Sequence, residues 1–267
     1  MKRILCFLML MMVFVIGSET IIYAKIASPE IQISKNKSLA IVIDDFGNDM
    51  KGTNEMLHLP MTLTVAIMPL MGTTVKDAEL AHSLGHEVIV HLPLEPNKGK
   101  RSWLGPGAIT TDLSDDEIRQ RVEQAIDSVP HAVGMNHHMG SKASADERVM
   151  KIILTVCRDR GLYYLDSRTT PKSVIPALAT ELGVPFLENE LFFDDVYTVK
   201  HMTKQADLLV RKLKNDEQII AIGHVGIAGN KMVDVLKEYI PLYKDEANTV
   251  PLSDLIPEFE MVNERLE

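Results

Sequence analysis

A chain of 267 residues with 46% apolar content is long enough to bury a full α/β core. Its 37 acidic against 28 basic residues give a net charge of −9 at pH 7, which argues against a nucleic-acid partner, since phosphate binding leans on clustered lysine and arginine. The two cysteines, Cys6 and Cys157, offer no disulfide framework.

In chain order, the first segment reads as an export signal. Lys2 and Arg3 precede an unbroken apolar run from Ile4 to Gly17, and Ala24 supplies a small residue for cleavage. The run is shorter than the roughly 20 apolar residues of a membrane span, so cleavage is expected, with retention as an uncleaved anchor the alternative. The expected product is an exported protein, secreted, periplasmic or held at the cell envelope, with no stable membrane insertion after cleavage. Removing residues 1–24 takes away Cys6, two bases and one acid, so the remainder is one charge more negative and keeps a single cysteine. Residues 25–38 are polar with little periodicity and read as a tether.

From Leu39 the pattern changes. LAIVID (39–44) is a continuous apolar run ending in acid, as in a strand buried on both faces. Comparable strands are predicted at Leu63 to Met68, Glu87 to His91, Ala132 to Asn136, Leu162 to Asp166, Pro185 to Leu187 and Ile219 to Gly223. Helices are predicted between them: Thr74 to Leu84, a capping box at Ser114 opening a helix to about Ser128, Ala145 to Arg160, Lys200 to Lys214, and Asn230 to Tyr239 with Pro241 blocking further helix. About seven strands alternating with helices, and no dinucleotide glycine fingerprint, predict a (β/α) barrel of parallel strands over residues 39–257, followed by a charged tail at 258–267.

Barrel active sites lie at the C-terminal ends of strands. At those ends stand Asp44 and Asp45, His91 with Glu95 four positions on, Asn136-His137-His138, Asp166 and His224. Carboxylates and imidazoles converging from different strands suit a hard or borderline divalent cation, and Asp45, His91, His138 and Glu95 could supply its ligands. Adjacent acids also allow one to hold metal while the other serves as general base. The loop from Asn97 to Thr111 carries the sole tryptophan, Trp103, placed either to stack on a sugar ring or to pack the loop down.

Several of these segments resemble a known family. IVIDDFG is similar to the first motif of the polysaccharide deacetylases of the NodB-like, carbohydrate esterase family 4 type, in which an aspartate base precedes a metal-binding aspartate. GHEVIVHLPLEP resembles their second motif, two metal-binding histidines four apart, with Glu95 in the second position. IIAIGH resembles the last, whose histidine is the general acid. The set IDDFG, HLPLEP, NHHMGS, LDSRT and IGH resembles the divergent polysaccharide deacetylase group, over roughly Leu39 to Ile256. The resemblance implies a deformed (β/α) barrel and a metal-dependent hydrolase cleaving an N-acyl group from a cell-envelope carbohydrate. Asp44 would be the base, His224 the acid, and Asp45 and His91 metal ligands, with His138 or Glu95 as the third. The arginine and tyrosine of the family's third motif are absent from NHHMGS, so His137, His138 or amides near Gly140 would stabilise the oxyanion. Trp103, His137 and Asp166 stand as candidate substrate-binding residues. The alternative is a non-catalytic envelope protein that keeps the barrel to bind a glycan or a partner.

Overall fold

A computed structural model describes residues 37–256. The export signal, the tether except its last two residues, and the charged tail lie outside the described residues. Among the described residues nine strands are joined by helices: β1 Ser38–Phe46, α1 Thr53–Leu57, β2 Thr64–Ile67, α2 Thr74–Ser83, β3 Glu87–Leu94, α3 Asp115–Ser128, β4 Ala132–Met139, α4 Glu147–Asp159, β5 Tyr163–Asp166, α5 Ile175–Leu182, β6 Phe186–Glu188, β7 Leu191–Phe192, α6 Val199–Leu213, β8 Gln218–His224, α7 Gly229–Glu246 and β9 Asn248–Thr249. Eight strands run parallel in the order β6-β5-β4-β3-β2-β1-β8-β7, and the short β9 pairs with the start of β1. They curl into a half-barrel, the deformed (β/α) barrel of the NodB-like fold.

Strand alternation divides the core into two layers. One face of the sheet packs Leu39, Ile41, Ile43, Val88 and Val90 against the helices. The other fills the barrel with Ala40, Val42, Ala66, Ile89, Tyr163, Leu165, Ile220 and Ile222. Strands buried on both faces need apolar residues at every position, which is why LAIVI lacks alternation. Tyr163 crosses the barrel floor over Gly134, where an added Cβ would lie 2.4 Å from its ring. Leu252, Leu255 and Ile256 close the bottom. The amides of Leu252 and Ser253 bond there to Glu87, which also accepts from the hydroxyls of Thr64 and Tyr163.

The capping box at Ser114 is present with both reciprocal bonds, and Asp146 caps α4. The expectation that Pro241 ends its helix is corrected: α7 continues to Glu246. Pro241 lies on the exposed face, and the burial of Tyr239, Ile240 and Tyr243 carries the helix across the missing hydrogen bond. The short elements α1, α5, β7 and β9 carry too little periodicity to be predicted.

Candidate metal and acid–base site

The site is built on the barrel-facing parity of the strands. Ala40, Val42 and then Asp44 face inward on β1; Ile89 then His91 on β3; Gly134, Asn136 and His138 on β4; Ile220, Ile222 and His224 on β8. Register brings these ends level, with Asp44 opposite His224 and His91 opposite Asn136.

Asp45 follows Asp44 and by simple alternation would face the helices. Instead β1 shifts register between Ile43 and Phe46, and Asp45 takes φ +71°. An extra residue in a strand re-aims its side chain, and aspartate tolerates the left-handed region better than most residues. Phe46 then resumes the helix-facing core. The turn beyond is fixed by Gly47, at φ +108°, where a Cβ would sit 2.7 Å from Met68 O. Its amide donates to buried Asp77 on α2 at 2.9 Å.

Three atoms thereby converge. His138 Nδ1 lies 2.9 Å and His91 Nε2 3.2 Å from Asp45 Oδ1, and all three lie within 4.8 Å of one another. Asp45 Oδ1 and His91 Nε2 are buried without a hydrogen-bond partner of sound geometry. Buried polar atoms are almost always partnered, so two orphaned ligand atoms facing a third are the mark of a cation's ligand set. Ligand atoms about 2.0–2.1 Å from a tetrahedral ion stand roughly 3.3 Å apart, close to the separations here. A carboxylate and two imidazoles suit zinc and related divalent ions. Burial disfavours the charge on Asp45, yet the imidazoles of His138 and His91 outweigh it and hold its carboxyl well below the usual range.

Beside this set lies a relay. His91 Nδ1 meets Asn136 Oδ1 at 2.7 Å, leaving Nε2 to face the cation position, and Asn136 Nδ2 donates to Asp44 Oδ1 at 2.8 Å. Burial raises the pKa of Asp44 against the opposing pull of His91 and His224. Its other oxygen stands 4.0 Å from His224 Nε2. On the far side, Asp194 accepts from the His224 amide at 3.0 Å and contacts Nδ1 at 2.8 Å. Burial disfavours the imidazolium, but Asp194 first, then Asp45 and Asp44, push His224 up to about 10.

The structure therefore brings together Asp44, Asp45, His91, His138 and His224. It does not bring Glu95 to them. Four residues along an extended strand span about 13 Å, and β3 stays extended to Leu94, so Glu95 passes beyond the cluster. Its carboxylate takes the amide and hydroxyl of Thr111 at 2.8 Å each and Lys142 at 2.9 Å. His137 lies between two inward residues and so faces outward, against the Tyr164 hydroxyl at 3.2 Å. Burial, with His91 and His138 nearby, lowers it to about 3. Asp166 is also fully buried on the outward parity and accepts from the Arg168 amide. Trp103 stands 58% exposed with Lys100 Nζ 5.8 Å from its ring centroid. The sequence pattern alone marks neither Asn136 nor Asp194 with a role. Asn136 carried a usable signal, two positions before His138 on one strand face, whereas Asp194 follows a strand of only two residues.

The sequence model of the family described as divergent polysaccharide deacetylase matches residues 41–256, from the core of β1 to the barrel floor. The chain belongs to this family. Two relatives are an uncharacterized protein of Haemophilus influenzae, 33% identical over 70% of this chain and 66% of its own length, and the uncharacterized protein YibQ of Escherichia coli, 32% identical over 82% and 67%. The chain thus spans about two thirds of each. Among solved structures, an uncharacterized protein of Agrobacterium tumefaciens C58 superposes with TM-score 0.77 at 18% identity, over 84% of this chain and 90% of that one. A putative cellobiose-phosphate cleavage protein of Enterococcus faecalis V583 gives 0.60 at 14%, over 83% and 99%. These likenesses show the fold. The deacetylase family's barrel here carries a His/Asp cluster able to hold a metal ion.

Proposed function

We propose that this member of the divergent polysaccharide deacetylase family is an exported, metal-dependent hydrolase that removes an N-acyl group, acetyl first, from a cell-envelope carbohydrate. The observation that carries the reading is the convergence of Asp45, His91 and His138 beside an acid–base pair, Asp44 and His224. Asp45, His91 and His138 would hold the ion, zinc in this reading; when bound it supplies Lewis acidity and a water of lowered pKa. Asp44, fixed by Asn136, takes a proton from the attacking water. His224, kept protonated by Asp194, gives a proton to the leaving nitrogen as the carbon–nitrogen bond breaks. The products are a carboxylic acid and a free amine, and the net proton balance is closed by the two side chains. Exposed Trp103 offers a face for a sugar ring. The apolar amino terminus supports export, and no helix among the described residues is long and apolar enough to cross a membrane.

The test is acetate release from N-acetylglucosamine oligomers by zinc-loaded protein, wild type against Asp44→Asn. Loss of turnover by at least about 100-fold with metal content unchanged is expected of a general base. An Asn variant as active as wild type would overturn the assignment.

A further inference from the structure

The loops that follow β7 and β8 leave an unassigned apolar shelf beside His224. β7 and β8 are paired, Leu191 with Ala221 and Phe192 with Ile222, so their loops emerge side by side. The contact of Asp194 with His224 ties the two together at the rim. Three residues past Asp194 stands Tyr197, 54% exposed, and three past His224 stands Ile227, 77% exposed; Val196 adds a further exposed apolar side chain. The bridge carrying Tyr197 is pinned at both ends. Asp194 anchors one, while Thr198 caps α6 at the other and donates its amide to Val196 O at 2.7 Å. A three-residue step spans at most about 11 Å, so Tyr197 cannot leave the neighbourhood of the acid. Partial burial, with the carboxylates of Asp194 and Asp45, raises the pKa of its hydroxyl. At these exposures the side chains of Tyr197 and Ile227 add little to the core.

We infer that Tyr197, with Ile227 on the neighbouring loop, is a substrate-positioning residue that seats the amine-bearing sugar on the leaving-group side of the site. The inference rests on the proposed hydrolase reading and adds to it which face of the rim the sugar occupies. The ring offers an apolar face to the C–H side of a pyranose. The hydroxyl stays protonated and can donate to a sugar oxygen. Because His224 must reach the leaving nitrogen, the sugar bearing that nitrogen lies on the β7–β8 side, where this shelf is.

The experiment uses the full chain loaded with zinc and N-acetylchitopentaose as probe, comparing wild type, Tyr197→Phe, Tyr197→Ala and Ile227→Ser by steady-state acetate release and by calorimetric binding. Circular dichroism and zinc content verify that each variant is folded and loaded. The expected result is a rise in KM and Kd of about 10-fold or more for Tyr197→Ala, which removes the apolar face on which the sugar rests. Tyr197→Phe should lie between it and wild type, Ile227→Ser should show a smaller rise, and kcat should change less than KM throughout. Wild-type activity with Tyr197→Ala unchanged in KM within 2-fold would overturn the seat while leaving the hydrolase reading in place. A wild type that neither binds nor cleaves the oligomer would overturn both.

Discussion

Asp194 and Asn136 do no chemistry in the proposed reaction, yet each decides the state of a residue that does. Asp194 contacts both the amide and Nδ1 of His224, which fixes the ring and leaves Nε2 facing Asp44. An opposite charge this close shifts a pKa by about 1–3 units. An acid catalyst works only below its pKa, so the alkaline limb of kcat/KM should move down by that amount in Asp194→Asn, with the acid limb unmoved. The same pair enters metal-free stability. His224 is raised from about 6.5 in the unfolded chain to about 10 when folded, so its contribution is complete below about pH 6.5 and is lost as pH climbs through 10. Urea midpoints of metal-free wild type should therefore fall across that window, and those of Asp194→Asn should fall less. An Asp194→Asn protein with an unshifted alkaline limb would remove His224 from the acid's role.

At the scale of elements, two expectations turned on how far a segment keeps its geometry. Reading His91 and Glu95 as a ligand pair assumed that the strand ends at His91. It runs on to Leu94, and Glu95 becomes the clasp between the Trp103 loop and Lys142. Glu95→Ala should leave zinc affinity unchanged in a competition titration, whereas His138→Ala should weaken it beyond the 10–100-fold typical of supporting residues. Equal losses in the two variants would restore Glu95 to the ligand set. Reading Pro241 as a stop weighed local cost without tertiary burial. A helical proline costs about 3 kcal/mol against alanine, and alanine returns about 1 kcal/mol of unfolded-state entropy. Pro241→Ala should then stabilise by about 2 kcal/mol, raising Tm by about 4–8 °C for a chain of this size. Other elements were legible for physical reasons. Continuous apolar runs marked strands buried on two faces, and the Ser114 box marked a helix start. The β1 bulge was not legible, because nothing in IDDFG distinguishes a re-aimed Asp45 from an ordinary turn.

Over the whole molecule, the fold separates a dry floor from a charged rim. Below, Tyr163, Ile220 and Leu252 seal the barrel; above, Asp44, Asp45, His91 and His224 are gathered where burial opposes their charges. Such an arrangement is balanced in the metal-free protein only by pairing acids with imidazolium groups. Burial opposes the charge on His91, and Asp44 and Asp45 still raise its pKa. A bound cation replaces those protons, so binding should release protons and tighten as pH rises. It should also stabilise the fold, because the ligands converge from β1, β3 and β4 and exist as a site only when folded. At a free zinc concentration about 100 times Kd the gain is about 2.7 kcal/mol, equivalent to roughly 5–11 °C in Tm for a domain of this size. Chelation should lower Tm by that amount and abolish acetate release, and zinc should restore both. Asp45→Asn should show the low Tm with and without zinc, since its ligand oxygen is no longer anionic. A chelated wild type with unchanged Tm would leave the two orphaned atoms of Asp45 and His91 as the cost of a site that binds no ion.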